Sequence, residues 1–223
     1  MFHVEHLEWI SQALSEKNIP SPPHLLEYFK IYHQLLLEWN RRVPLISRQD
    51  EPRIVTRHFL ESIGLLTLID FPLRARVLDI GSGGGFPGLP LKIVRPDLEM
   101  ILVESKAKKA RFLEKVVEEL GLSGIQVIPA RVEFLTDQID SFEIAVTRAV
   151  SDVTTVIRWL IPFVSSSPLR CVMIKGKKLD EEMQALQTQP LPISYSYQIV
   201  PYNPFPKYMT LLSSYVLELK LWK

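Results

Sequence analysis

Val77-Leu78-Asp79-Ile80-Gly81-Ser82-Gly83-Gly84-Gly85-Phe86-Pro87-Gly88 is the stretch that decides how this chain is read. Arg76 to Ile80 carries the pattern of a buried strand, and the glycines that follow mark a tight turn needing positive φ or close backbone approach. Leu89, Leu91, Ile93 and Val94 resume an apolar pattern, so the turn feeds a helix. The free N–H groups of that helix are expected to point back at a ligand lying over the glycines. Strand, turn and helix make the first βα unit of a doubly wound sheet.

Two cofactor readings compete for the turn, beside the plainer one of a tight turn with no ligand. A nicotinamide-binding loop needs G-x-G-x-x-G directly after the strand, with an acid about 20 residues on. Counting from Gly81 puts Phe86 at the third glycine, and the frame from Gly83 through Gly85 to Gly88 begins two residues late and encloses Pro87. Asp79 followed by Gly81-x-Gly83-x-Gly85 resembles instead the D-x-G-x-G-x-G loop of class I S-adenosylmethionine-dependent methyltransferases. Glu104, ending the next strand (99–104), then falls where that family's carboxylate accepts both ribose hydroxyls. Strand, glycines, helix and second-strand acid occur together in the required order, which the ligand-free reading does not explain.

Composition excludes several classes. At 223 residues, 47% of them hydrophobic and 23% charged, the chain is an ordinary globular protein with one good core and a small appendage. A net charge of +1 gives no long-range pull on phosphate, so a nucleic-acid partner must be met by a local basic face. One cysteine, Cys171, rules out an internal disulfide or a multi-cysteine zinc site, and its apolar run Cys171-Val172-Met173-Ile174 marks a core thiol. His3 and His6 have helical ligand spacing without a third ligand nearby, which favours surface histidines and no metal. With no signal peptide and no run of 18 apolar residues, a cytoplasmic monomer is expected, without a membrane partner.

Residues 1–70 read as a helical cap and 71–223 as the sheet domain. Leu7, Ile10 and Leu14 form a short stripe. Ser21-Pro22-Pro23 then opens a stronger helix in which Leu25, Phe29, Tyr32, Leu36 and Trp39 recur at three- and four-residue steps. Asp50-Glu51-Pro52 opens a third helix through about Ile69. From Arg76, strands are expected at 76–80, 99–104, 125–129, 142–147 and 170–175, and helices near 88–95, 106–120, 132–139, 151–161 and 179–187. Ser194 to Val200 and Leu211 to Leu219 are two β-rich runs around a proline-rich segment, and an antiparallel pair closing the sheet is expected. The fold class is α/β, a Rossmann-like, mostly parallel seven-stranded sheet with an antiparallel last strand and an N-terminal helical cap.

Methyl transfer from a sulfonium needs little beyond in-line placement, so the acceptor decides which further groups are required. Exocyclic-amine methylation usually carries an Asn/Asp-Pro-Pro-aromatic loop after the fourth strand, where this chain has Ala145-Val146-Thr147-Arg148-Ala149. Cytosine C5 methylation needs a cysteine nucleophile, and the one thiol lies inside a strand. Acceptors with an available lone pair remain, such as guanine N7, which needs no general base.

Gly81-Ser82-Gly83-Gly84-Gly85-Phe86-Pro87-Gly88-Leu89-Pro90-Leu91 closely resembles the G-x-G-x-G-F-P-G-x-P-L loop of the glucose-inhibited division protein B family, bacterial guanine-N7 methyltransferases of small-subunit ribosomal RNA. Further matches follow in order: Leu37-Glu38-Trp39-Asn40, Arg57-His58-Phe59-Leu60-Glu61-Ser62, Lys109-Ala110-Arg111-Phe112-Leu113, Arg131-Val132-Glu133, Thr147-Arg148-Ala149 and Lys175-Gly176. Val43-Pro44-Leu45-Ile46-Ser47 departs from a family Asn-Leu-Thr, Glu61 stands for Asp, and the tail after Pro201 matches loosely. The resemblance implies S-adenosyl-L-methionine as cofactor and 16S ribosomal RNA or the 30S subunit as partner. It implies cofactor contacts at Asp79, Gly81, Gly83 and Phe86, at Glu104 (ribose), at Val132 and Glu133 (adenine) and at Arg148 (methionine end).

Plainer readings stand beside these: Phe86 as core and Glu133 as a first-turn helix acid. Arg148, at the C-terminal end of a central strand, lies where open α/β sheets bind ligands, and is expected to act by position and charge with no residue needed as acid or base. For RNA the candidates are Arg57, His58, Lys109, Arg131 and Lys175. Arg57, His58 and Lys109 belong to local clusters (with Arg41, Arg42, Arg48, Arg53; with Lys106, Lys108, Arg111) that a solvated face explains equally well. Two rivals keep the fold and change the function: a methyltransferase of a small molecule or protein, and a non-catalytic RNA-binding protein with a degenerate pocket.

Overall fold

The computed structural model describes residues 6–136, 138, 139, 141–165, 167–209 and 214–223. Seven strands, β1 (Arg76–Ile80), β2 (Glu99–Val103), β3 (Ile125–Ile128), β4 (Ile144–Arg148), β5 (Leu169–Lys175), β6 (Ser194–Pro201) and β7 (Tyr215–Trp222), form one sheet. Its order is β3-β2-β1-β4-β5-β7-β6. The first five run parallel, and β7 enters antiparallel between β5 and β6. Strand order reverses between β1 and β4, which opens a crevice at the C-terminal ends of those strands. The glycine turn leaves β1 at that point.

Alternation along β1 divides the core. Val77 packs on one face of the sheet, with residues of α1 (Glu8–Glu16), α2 (Leu25–Asn40), α4 (Gly88–Val94) and α5 (Ala107–Glu119). Leu78 and Ile80 pack on the other, with α6 (Val153–Leu160) and α7 (Leu179–Thr188). The first cluster runs without a break from Leu7 and Phe29 in the N-terminal helices to Phe86, Phe112, Tyr202 and Val216. The stripe expected on α2 is the buried one: Phe29, Tyr32 and Leu36 have no exposed surface. Among the described residues, no helix is long and apolar enough to cross a membrane.

Five expectations change. The α2 helix starts at Leu25 rather than at Ser21, because His24 adopts φ +63 and blocks any earlier helical turn. The single helix expected over residues 50–69 is instead a string: a 3₁₀ turn at Arg48–Arg53 around Pro52, a π-helical turn at Val55–Leu60, α3 (Glu61–Ile63) and a 3₁₀ turn at Gly64–Thr67. Proline removes a donor from the opening turn, and the π turn inserts an extra residue beside the sheet crevice. Over 132–139 there is one 3₁₀ turn, Val132–Phe134, because Leu135 N–H closes back onto the Val132 carbonyl; residue 137 lies outside the described residues. The final strand begins at Tyr215, and 211–213 also lie outside them. Helix α6 begins two residues late, at Val153, where the Asp152 carboxylate accepts the Thr155 N–H at 2.9 Å.

Candidate cofactor and transfer site

Three of the four glycines between Ile80 and Phe86 have positive φ: Gly81 +69, Gly83 +56 and Gly85 +94. A Cβ on Gly85 would lie 2.5 Å from the Tyr32 hydroxyl, whereas at Gly83 the nearest atom is 3.7 Å away. Gly85 is therefore required by packing, and Gly83 leaves open space over the turn. The turn is held from below and from the side. Gly81 and Ser82 N–H donate to the Val103 carbonyl, and Tyr32 from α2 donates its hydroxyl to the Gly84 carbonyl. The helix that follows does not offer its first amides outward: Gly88 N–H donates to Asp79 Oδ2 at 3.0 Å and Leu89 N–H to the Gly85 carbonyl. The expected ligand-facing helix end is spent inside the loop.

Asp79 and Glu104 carry the acid chemistry of the turn. Asp79 is fully buried, and burial pushes its carboxyl up to about 7 against the pull of the Gly88 amide, the Ser82 hydroxyl and Arg148. Among the described residues its Oδ1 has no hydrogen-bond partner. Glu104 is 6% exposed, and its carboxylate accepts Gly83 N–H at 3.0 Å and Lys106 N–H at 2.7 Å. It thereby ties the glycine turn to the start of α5. Each oxygen keeps a further lone pair.

A cleft of about 240 Å³ opens beside these groups, lined by Ile80, Gly81, Val103, Val132, Glu133 and Val150 among others. Ser105, Arg131 and Trp159 also line it, and no reading of the sequence singled out Ser105 or Trp159. Trp159 comes from α6, and only the sheet order shows that this helix borders the crevice. Val132 is buried and Glu133 exposed at the rim.

Phe86, 3% exposed, lies on the helical side of the turn, stacked with His58 at 4.8 Å and close to Tyr32 and Phe59. The Arg148 guanidinium carbon sits 4.8 Å from the same ring. That guanidinium donates to the Arg57 carbonyl at 3.1 Å, to Glu61 Oε2 at 2.9 Å and to His58 Nδ1 at 2.8 Å. Glu61, a buried acid, also faces Ser214 at 3.3 Å and the Arg57 guanidinium at 3.6 Å, and its carbonyl accepts the Tyr202 hydroxyl. The sequence showed Glu61 only as a variant of a family Asp; its partners come from residues 57, 148, 202 and 214, a set no local pattern announces.

The other basic candidates divide. Lys109 lies half-buried on the first turns of α5, and Arg131 is exposed at the cleft. Lys175 is 8% exposed and committed: its ammonium meets Glu182 at 2.6 Å and the Ser151 carbonyl at 2.8 Å. Asn40 is likewise internal, its Oδ1 accepting the N–H groups of Leu45 and Ile46. Cys171 is fully buried, with its thiol pushed up to about 12 by burial. His6 is exposed and stacks on Trp9, and His3 lies outside the described residues. Among the described residues, no three potential ligands gather for a metal.

The residues fit an S-adenosylmethionine molecule: an unpartnered buried acid oxygen suits an ammonium, an open glycine leaves room for close approach, and Glu104 has spare lone pairs for hydroxyls. A sheet of this order, with that turn at its switch point, defines a class I S-adenosylmethionine-dependent methyltransferase. Solved structures share the fold: a variant of MtNAS in complex with S-adenosylmethionine aligns with a TM-score of 0.57 at 18% identity, covering 88% of this chain and 75% of that one. A putative rRNA-methylase from Clostridium thermocellum aligns at 0.52 with 12% identity, covering 75% and 97%.

The family model of rRNA small subunit methyltransferase G, GidB, matches residues 25–201, and the chain belongs to that family. The Ribosomal RNA small subunit methyltransferase G of Staphylococcus epidermidis is 35% identical over 180 residues, 80% of this chain and 75% of that protein. The protein of the same name from Moorella thermoacetica is 41% identical over 152 residues, 67% of this chain and 63% of that protein.

Proposed function

We propose that this protein transfers a methyl group from S-adenosyl-L-methionine to N7 of a guanine in 16S ribosomal RNA, in the free RNA or the 30S subunit, as a cytoplasmic monomer. Family membership supports the reaction class, and the observation that carries the acceptor is the state of the titratable groups. The Cys171 thiol is held at about 12 in the core, and the His58 ring at about 2 by burial and by Arg148, Arg57 and Arg53. Neither serves as nucleophile or general base, and Asp79 has one oxygen on the Gly88 N–H and, on this reading, the other on the cofactor's ammonium. Guanine N7 asks for neither, because its own lone pair forms the new bond and no proton moves.

S-adenosylmethionine supplies an electrophilic methyl carbon whose bonding pair leaves with sulfur. The chain supplies binding and orientation. Asp79 Oδ1 takes the ammonium, and Gly81 and Gly83 give the backbone close approach. Glu104 accepts the ribose hydroxyls while holding the turn, and Val132 and Glu133 border the adenine. Arg148 offers its charge to the methionine carboxylate, braced by Glu61, with Phe86 under it. Arg57, Lys109 and Arg131, together with the exposed Arg41, Arg42, Arg48 and Arg53, meet phosphates. Lys175 holds the loop after β4 rather than RNA. Incubation with labelled S-adenosylmethionine and 30S subunits lacking the modification, followed by nucleoside analysis, is the test. Label in 7-methylguanosine is the expected result; label in another nucleoside, in protein, or nowhere overturns the reading.

A further inference from the structure

His58 is an uncommon group: a histidine 7% exposed, on the π-helical turn Val55–Leu60, with one nitrogen tightly bonded and, among the described residues, the other without a partner. Its Nδ1 lies 2.8 Å from Arg148 Nη2. A guanidinium has only donors, so Nδ1 is the acceptor, and in the neutral ring the hydrogen is on Nε2. Burial and three arginines keep the ring neutral. Nε2 is thus a donor of fixed identity, and among the described residues it has no acceptor. A buried donor left unmade destabilises the fold, so a site that keeps one is completed by something that binds. The ring stacks on Phe86, the residue of the glycine turn that also carries Arg148.

Resting on the guanine-N7 reading above, we infer that His58 is the specificity-determining residue of the transfer site, its Nε2–H donating to O6 of the target guanine. Guanine and adenine present the same N7, but next to it guanine has an acceptor, O6, and adenine a donor, the N6 amine. A ring whose other nitrogen is locked by Arg148 cannot exchange donor for acceptor, so it accepts guanine and rejects adenine. A carboxylate asks for charge, which Arg148 supplies; a keto oxygen on an uncharged base asks for a directed neutral donor. A cationic donor at O6 would also draw more electron density from the attacking N7. Reaching a donor this deep requires the base to leave its stack and enter the crevice.

The test pairs a deletion in the protein with one in the RNA. Asn in His58→Asn places an acceptor where Nδ1 stood, so Arg148 keeps a partner while the Nε2 donor and the stacking on Phe86 are lost, and the deletion in the RNA isolates the donor's share. 30S subunits reconstituted with 2-aminopurine at the modified position lack O6. Single-turnover rates at saturating S-adenosylmethionine should fall about 10- to 100-fold for either change alone and little further for both together. Calorimetric affinity for S-adenosylmethionine should stay within about twofold, because Arg148 keeps an acceptor at this position and its bonds to Glu61 and the Arg57 carbonyl. Full additivity of the two losses, a wild-type rate for His58→Asn, or cofactor affinity down tenfold overturns the inference. In the unmodified protein, nitrogen NMR should show His58 at pH 7 as the neutral Nε2–H tautomer; the Nδ1–H form would overturn it without any variant. Wild-type product that is not 7-methylguanosine refutes the guanine-N7 reading itself, whereas 7-methylguanosine without coupling refutes the role of His58 alone.

Discussion

Asp79→Asn isolates the physical cost of the acid under the glycine turn. The wild-type carboxyl is raised from 3.8 to about 7, first by burial and against the hydrogen bonds from Gly88 and Ser82. The folded chain therefore holds a proton that the unfolded chain releases at lower pH. Its contribution to stability is complete below about 4, falls as pH rises, and is lost by the time pH passes about 7. At about 1.4 kcal/mol per pH unit, with the slope easing as the folded group itself titrates, the fall between pH 5 and 7 is about 2 kcal/mol, a large share of a typical domain's stability. Asn cannot titrate, so urea unfolding of both proteins at pH 5, 6, 7 and 8 should show the gap between them changing by that amount in favour of Asn, then levelling off. Every other titrating group cancels in the difference. Parallel stability curves would show that Asp79 is ionised throughout and refute the argument. At pH 8 the variant should be the stabler protein and the poorer binder of S-adenosylmethionine, because the oxygen that destabilises the fold is the one offered to the ammonium.

Four further outcomes follow from the same geometry. Glu104→Ala removes an acceptor shared by Gly83, Lys106 and, on our reading, the ribose, a loss of about 1.5–3 kcal/mol, so calorimetry should show S-adenosylmethionine affinity down at least tenfold in a folded protein. Gly85→Ala drives a methyl group against Tyr32 and Leu89 and should destabilise the chain far more in urea unfolding than Gly83→Ala, which carries only the left-handed backbone strain of about 1–2 kcal/mol. Arg148→Lys keeps the charge but cannot reach Glu61, the Arg57 carbonyl and His58 together, so activity should fall substantially. With wild type and saturating cofactor, single-turnover rates should stay nearly flat from about pH 6 to 9, and a steep rise near pH 7 that persists in Asp79→Asn would demand a general base.

What could be read from the sequence follows the range of each interaction. The strands from Arg76 to Lys175 and the glycine turn are local patterns of apolar alternation and backbone permissiveness, and they fall within one or two residues of their expected positions. Residues 50–69 read in sequence as one helix, whereas the fold has a string of turns there, because a π turn is set by what packs on it rather than by propensity. Glu104 could be placed by its distance from the glycines. That it also clamps Gly83 and Lys106 depends on β1 and β2 lying side by side. Lys175 looked like a free cation in sequence because its partner, Glu182, comes from the next helix.

Arg148 shows why the N-terminal helices belong to the chemistry. Among the described residues its three hydrogen-bond partners, the Arg57 carbonyl, His58 and Glu61, all come from the first 70 residues. Glu61 is fixed in turn by Ser214 and Tyr202 from the end of the chain. An arginine on a strand end has several long rotamers, and ordering one costs up to about 2 kcal/mol of side-chain entropy. Here that cost is met before any ligand arrives, because segments distant in sequence converge on one guanidinium and hold its plane over Phe86 at 4.8 Å. The same contacts fix which nitrogen of His58 carries hydrogen. Orientation of the charge and identity of the neutral donor are therefore one structural decision, made by Glu61, and a change at Glu61 should alter both at once.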